Sequence, residues 1–408
     1  MKIVLIASLY RPYSRGGAEV VFQMVVDELK KHHDVVVVST CQWRGFRSLI
    51  PRMTQEEGVR VYRFFPLNIF SFITLLHRPP IILRALWYVF DTFSIHSYWV
   101  IRSLLKKERP DGVMTHNLKG IGLTVPRAIA ASRIPHIHTV HDIGLVYPSG
   151  ILLHGEESTL ANRCMAFVSG AITRRLFGSP PAVIFASRFL KDFYARHAFF
   201  PRSRGAVIQN PIQQNGVLAR EHPSINDDGR TTVAFVGQLE PHKGIEFLLR
   251  AWENWGREDA RLNIAGKGSV EARVRQAAAR DSRITYAGYC QDVPSFLADT
   301  SFVIVPSLCY ENAPMIIFES GALGIPVIAP SIGGIAEYIE EGVNGFLFTP
   351  SDERSLIEAL ERATAVAPEI YEVLSKNAKN SVRDYTVQRY CERLEEVSTE
   401  ASGVLYAR

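Results

Sequence analysis

The chain has 408 residues, 47% hydrophobic and 21% charged, enough for two packed domains and too apolar for extensive disorder. Cys41, Cys164, Cys290, Cys309 and Cys391 show no CxxC or metal-like spacing, which excludes a disulfide framework or zinc site and fits a reducing compartment. The net charge of +5 hides an asymmetry: residues 1–212 carry 27 Lys+Arg against 13 Asp+Glu, the remainder 19 against 28, so the N-terminal half is expected to meet an anionic surface.

"KIVLIAS" reads as a first strand, because its apolar run is too short for a signal peptide. A Gly-containing loop, a helical "AEVVFQMVVDELKKH" and a buried strand "DVVVVST" follow, the opening of a doubly wound parallel sheet. In "SRGGAEV", Gly16 and Gly17 let backbone N–H groups approach an anion at a helix start. The loop is not GxGxxG, so a nicotinamide site is weakly supported.

Residues 60–107 depart from the alternation. They are crowded with Phe, Trp, Tyr, Ile and Leu and hold seven Lys/Arg against a single acid, Asp91. That mixture matches segments lying in a membrane headgroup region; the plainer alternative is a helical insertion packed on the sheet. No segment reaches about 18 apolar residues without a charge, so no spanning helix is expected. Strands at 111–116 and 134–142 come next, and "HTVHD" ends the latter, placing His141 where it can hydrogen-bond a substrate or move a proton. "AVIFAS" and "GAVIQNPI" continue the pattern to residue 212.

The polar, turn-rich stretch 213–230 reads as a linker. A second alternation starts at "TTVAFVG". In "FVGQLEPHKGIEFL", Lys243 stands near a helix start at the mouth of the sheet, placed to neutralise a diphosphate. In "ENAPMIIFE", Glu311 lies in a loop, Pro314 suits the first helical position with Asn312 or Ala313 as cap, and Glu319 lies inside the helix. Free N–H groups near Met315 then form an anion site flanked by two carboxylates, which accept from vicinal hydroxyls. A sugar-bearing diphosphate has that shape, one acid for each sugar. No GxSxG elbow, DxD pair or His/Cys cluster is present, so neither serine nucleophile nor metal is expected. The division expected is an N-terminal domain (1–212), the linker, a C-terminal domain (231–385), and a last amphipathic helix (386–408) packing back on the first domain.

Taken together, "RGGAE", "VHD", "QNPI", "FVGQLEPHKG", "ENAPMIIFE" and "GALGIPVIAPSIGGIAEYIEEGVNGFLF" resemble, in order, the landmarks of the retaining glycosyltransferases of family 4. The resemblance implies a GT-B fold, an α/β arrangement of two Rossmann-like domains facing each other across a cleft. It implies a nucleotide-sugar donor, UDP- or GDP-linked, with no cofactor and no metal, and a glycan or lipid-linked acceptor in surface polysaccharide or glycolipid assembly. Glu311 would meet the donor sugar, Glu319 the ribose, Lys243 the diphosphate with the 313–316 backbone and Gly16–Gly17 nearby, and His141 the transferred sugar. Where the family commonly has Arg, this chain has Gln238, which carries no charge; Lys267 is a candidate to compensate. The expected setting is the cytoplasmic face of the cell membrane, with no nucleic acid partner. A nucleotide-sugar epimerase of the same fold and a non-catalytic sugar-binding protein are the rivals.

Overall fold

The computed structural model describes residues 1–13, 16–75, 79–212 and 230–402. The expected linker, save Arg230, lies outside them. The chain divides into two compact units. Unit 1 comprises Met1–Gly150, Thr159–Pro211 and the segment from Val387 onward; unit 2 comprises Ile151–Ser158 and Ile212–Thr386.

Unit 1 is built on β1 (Lys2–Ile6), β2 (Asp34–Thr40), β3 (Arg52–Glu56), β4 (Val59–Phe64), β5 (Gly112–Thr115), β6 (His136–Val140), β7 (Ala182–Phe185) and β8 (Arg204–Val207). Their order in the sheet is β3-β4-β2-β1-β5-β6-β7-β8. Strands β1, β2, β5, β6 and β7 are runs of Val, Ile and their neighbours buried on both faces, as parallel strands covered by helices require. Strand β3 pairs antiparallel with β4, and only Glu56 at its end is partly shielded. The helices are α1 (Gly17–Leu29), α2 (Phe72–Leu75), α3 (Ile81–Thr92), α4 (Ile95–Glu108), α5 (Val125–Ser132), α6 (Leu160–Phe177) and α7 (Arg188–Arg196).

Unit 2 carries β9 (Thr231–Val236), β10 (Ala260–Ala265), β11 (Ile284–Gly288), β12 (Phe302–Ile304), β13 (Val327–Pro330) and β14 (Gly345–Phe348), all parallel, in the order β11-β10-β9-β12-β13-β14. Its helices are α8 (Ile245–Trp255), α9 (Glu271–Arg280), α10 (Val293–Phe296), α11 (Met315–Ala322), α12 (Glu353–Thr364) and α13 (Pro368–Ser381). Trp252, Phe302, Leu248, Leu262 and Tyr371 centre its larger core. The final helix, α14 (Val387–Ser402), contacts α1, β7 and β8 of unit 1, where His33 Nε2 lies 3.2 Å from Glu395.

The stretch 60–107 is not one segment. Residues 60–64 belong to β4, paired in register with β2, so the reading of the whole stretch as interfacial is corrected for them: Val61 and Phe64 are fully buried in the sheet. The rest forms α2, α3 and α4. Helix α3 is held to the unit by one face only. Trp87 donates Nε1–H to the Phe70 carbonyl at 2.8 Å, and both Asp91 carboxylate oxygens accept from the Gly120 N–H at 3.0 Å. The opposite face exposes Ile82, Leu86, Val89, Phe90 and Phe93, positions that recur at helical spacing. Among the described residues no helix is long and apolar enough to cross a membrane.

Candidate functional site

In each sheet the strand order reverses direction at one point, and loops leaving the C-terminal strand ends there are where such sheets bind ligands. In unit 2 that point is the β9–β12 pair. The loop after β9 ends in a turn, Pro241–Lys243, followed by Gly244; the loop after β12 leads to Glu311. The Leu308 N–H donates to the His242 carbonyl at 3.0 Å, tying the loops together. Gly244 makes the approach possible: its φ is +75°, and a Cβ there would lie 1.8 Å from the Pro306 carbonyl oxygen. As a result Lys243 Nζ reaches Glu311 Oε2 at 2.7 Å.

Burial pushes the Glu311 carboxyl up, but the Lys243 charge, its hydrogen bond, the Ser307 hydroxyl and His242 outweigh it and hold the group below the usual carboxylate range. Glu311 is therefore an anion at neutral pH, and Ser307 Oγ donates to its other oxygen. Behind it, Gly334 N–H donates to the Glu311 carbonyl at 2.8 Å, and Gly333, with φ +59°, packs where a Cβ would meet the same carbonyl at 2.5 Å. A further buttress comes from far away in the sequence. Residues 151–158 pair with 308–310 through His154 N–H to Leu308 O and Tyr310 N–H to Leu152 O, both 2.9 Å.

Helix α11 begins at Met315, one residue later than expected. Pro314 is the N-cap residue, not the first helical one, because its ψ of 123° is extended, and its own side chain offers no capping acceptor. Asn312 and Ala313 lie in the loop before it, and the first-turn N–H groups of α11 receive no cap from Pro314. Glu319 is one turn in and mostly shielded; burial alone raises its carboxyl above the usual range. Gln238 follows β9, where Gly237 N–H bonds to Ala265 O and Leu239 N–H to Lys267 O. The ammonium of Lys267 lies 5.5 Å from the Tyr289 ring centroid.

In unit 1 the reversal falls between β1 and β5. Gly16 precedes α1, and its N–H donates to the Glu19 carboxylate at 3.0 Å, so a carboxylate of the chain itself already occupies that amide. His116 follows β5 and His141 follows β6; His116 Nδ1 and His141 Nε2 are 3.0 Å apart, the rings near-parallel. Burial lowers His141 to about 4 and His136 to about 3. His141 is thus neutral at physiological pH, a hydrogen-bonding ring and not a standing cation. The next residue, Asp142, accepts from Gly144 N–H at 2.7 Å, and its carbonyl accepts from Tyr194 OH at 2.8 Å, which fixes the turn. No group of three or more His, Cys, Asp or Glu poised for a metal occurs among the described residues.

The sequence-derived residues thus fall into two sets. Lys243, Glu311, Asn312, Ala313, Pro314 and Met315 converge at the reversal point of unit 2, with Gln238 on the loop after β9 and Glu319 on α11; Gly16, Gly17 and His141 sit on the C-terminal edge of the unit 1 sheet. Sequence reasoning missed Ser307, Gly333 and His116. The "SIGG" pair was the only legible hint, and Ser307 and His116 gave none.

Residues 230–365 match the model of the glycosyl transferases group 1, and residues 15–215 that of glycosyltransferase family 4. The chain belongs to this glycosyltransferase family. A protein of the cps region of Klebsiella pneumoniae is 26% identical over 340 residues, 83% of this chain and 87% of its own. The Escherichia coli UDP-Gal:alpha-D-GlcNAc-diphosphoundecaprenol alpha-1,3-galactosyltransferase is 26% identical over 323 residues, 74% of this chain and 78% of its own. Among solved structures, sucrose-phosphate synthase from Thermosynechococcus elongatus superposes with TM-score 0.72 at 17% identity over 98% of both chains. Anabaena HepE in complex with UDP gives 0.68 at 19% identity, over 98% of this chain and 100% of its own. The glycosyltransferase therefore has the two parallel-sheet α/β domains of the GT-B fold, and enzymes of its group take nucleotide-sugar donors.

Proposed function

We propose that the glycosyltransferase transfers a sugar from a UDP- or GDP-linked donor to a glycan or lipid-linked acceptor, with retention of anomeric configuration and without a metal. The observation that carries the reading is the Lys243–Glu311 pair, 2.7 Å apart on the loop that leads into the N-terminus of α11. Lys243 and the 313–316 amides meet the diphosphate, with Gln238 in place of an arginine. Glu311 accepts from hydroxyls of the transferred sugar and Glu319 from the ribose. His141, neutral, hydrogen-bonds the sugar. Negative charge grows on the leaving diphosphate as the glycosidic bond breaks, so fixed cationic and amide groups stabilise the transition state more than the ground state. The acceptor hydroxyl attacks from the face the diphosphate leaves, and a departing phosphate oxygen takes its proton.

The acceptor class draws support from a relative named for a diphospho-lipid substrate and from a Salmonella typhimurium lipopolysaccharide 1,2-N-acetylglucosaminetransferase, 27% identical over 238 residues. It also draws on the exposed apolar face of α3, suited to the headgroup region of an anionic membrane leaflet on its cytoplasmic side. Nucleotide release from a panel of UDP-, GDP- and ADP-sugars, with lipid-linked acceptor present, tests the transfer. Release with one donor is expected; none with any donor removes the reading.

A further inference from the structure

Three features of unit 1 stand outside the donor machinery: the α3 face, the loop after β2, and a groove of about 510 Å³ between that loop and residues 65–74. We propose that this groove seats the hydrocarbon chain of a lipid-phosphate acceptor, with Arg44, Arg47 and Arg52 meeting its phosphates. The proposal rests on the transfer reading above and adds a site to it.

Trp43, Phe65, Leu67, Ile69, Phe70 and Ile73 supply the apolar walls. The walls are built and do not depend on a ligand to form. Phe65 N–H donates to the Ser48 carbonyl at 2.6 Å, which anchors the 3-10 turn Phe46–Leu49 against the start of the 65–74 segment. Asn68 Nδ2 donates to the Trp87 carbonyl at 3.2 Å, and Trp87 Nε1 returns a bond to Phe70, so the other wall is strapped to α3 at two points. The Trp43 ring packs edge-on against Phe65 and Phe46, with centroids 5.2 and 5.6 Å apart. Even so, Trp43 stays 47% exposed, Leu67 57% and Phe46 82%, an apolar surface that water covers at a cost.

Charge selects the occupant. From Cys41 to Gln55 the chain has three arginines and no acid. All three arginines are exposed, and among the described residues none has a carboxylate at ion-pair distance. An apolar slot whose Gln42–Trp43 wall runs on into this arginine-bearing stretch suits an amphiphile with an anionic head; a peptide helix or a neutral lipid would leave the arginines unused. Position supports an acceptor lipid in particular. The groove opens at the C-terminal ends of β2 and β4, and His141 follows β6 on the same edge of the same sheet. β2 and β6 are three strand spacings apart, roughly 14 Å at about 4.8 Å each, the span of a diphosphate carrying one or two sugars. A chain seated here therefore delivers its glycan end to His141. It does so beside α3, whose Trp87 side is strapped to the same 65–74 segment.

The test uses the full chain, free of detergent, and a diazirine-bearing C20 isoprenyl diphosphate, with the crosslinked residues mapped by peptide mass spectrometry. Labelling is expected within 42–50 or 65–74. Leu67→Glu should reduce it by at least about tenfold, since a carboxylate in an apolar, anion-facing slot opposes both parts of the ligand. Trp43→Ala, on the opposite wall, should reduce it in the same direction; both side chains are largely exposed, so neither change empties the core. Labelling confined to α3, or unchanged in both variants, overturns the groove. So does competition by inorganic pyrophosphate as effective as that by the unlabelled isoprenyl diphosphate, which would show an anion patch only. The donor panel separates the two claims. Nucleotide release with label elsewhere overturns the groove and leaves the transfer reading standing; label in the groove with no release supports the groove and removes the transfer.

Discussion

Lys243 and Glu311 are each other's partner before any donor arrives, and this makes their substitutions separable. Glu311→Ala should lower turnover by about 10²–10³ with little change in donor KM, if its contacts are made chiefly in the transition state. Lys243→Ala should lower both turnover and stability, because it leaves a carboxylate only 13% exposed without its cation, at a cost of roughly 1–3 kcal/mol. The Lys243→Met/Glu311→Gln pair should recover the unfolding midpoint and not the activity; recovery of activity would show that neither charge touches the donor. The Glu311 carboxyl is held low in the fold, so the stabilisation it contributes is present above the unfolded carboxylate range and is lost as pH falls through its folded value. Glu319 has the opposite sign. Burial raises its carboxyl, so its ionised form opposes folding. Glu319→Gln should raise the thermal midpoint while weakening nucleotide binding, measured by calorimetry with UDP or GDP. Gln238→Arg should preserve or increase donor turnover; its complete loss in a folded variant would remove residue 238 from the phosphates.

At the scale of elements, α3 is the informative one. Its apolar moment points away from the unit, and a single buried acid holds its end. Asp91 is pushed up to about 7 by burial, offset by the Gly120 N–H and the Lys119 charge. A raised carboxyl contributes stability below the unfolded carboxylate range and loses it as pH rises through about 7. The protein should therefore be less stable at pH 8 than at pH 6, and Asp91→Asn should narrow that difference by on the order of 1 kcal/mol in denaturant titrations at the two pH values. No pH dependence in the parent would mean that water reaches Asp91. Helix α11 teaches the related point that a motif fixes residue order and not helix phase. The sequence placed Pro314 inside the helix; the extended ψ of Pro314 starts the helix one residue later, which leaves Met315 as the first helical residue.

For the whole molecule, the proposed attachment to an anionic surface rests on the exposed α3 face and the bases of unit 1. Flotation with anionic vesicles at low salt should recover the protein. Binding should fall as salt rises and should weaken at least about tenfold in Leu86→Glu/Phe90→Glu, which places two carboxylates in the contact face. Recovery equal to that with neutral vesicles would remove the electrostatic part.

The sequence by itself determined the α/β class, the alternation of elements, the positions of the loops that carry Lys243 and Glu311, and the family. These are local properties: strand periodicity, glycines at turns, and short motifs in fixed order. It could not show that β4 claims the start of the 60–107 stretch, since an apolar, basic run reads alike as strand or interfacial helix until its pairing partner β2 is known. Nor could it show that residues 151–158 buttress Glu311, that Ser307 grips its carboxylate, or that His116 lies against His141. Those depend on contacts between residues distant in sequence, which no local pattern encodes. The tertiary structure alone decided that Lys243 and Glu311 form a pair, because only the close packing of Gly244 on Pro306 brings the two loops within reach.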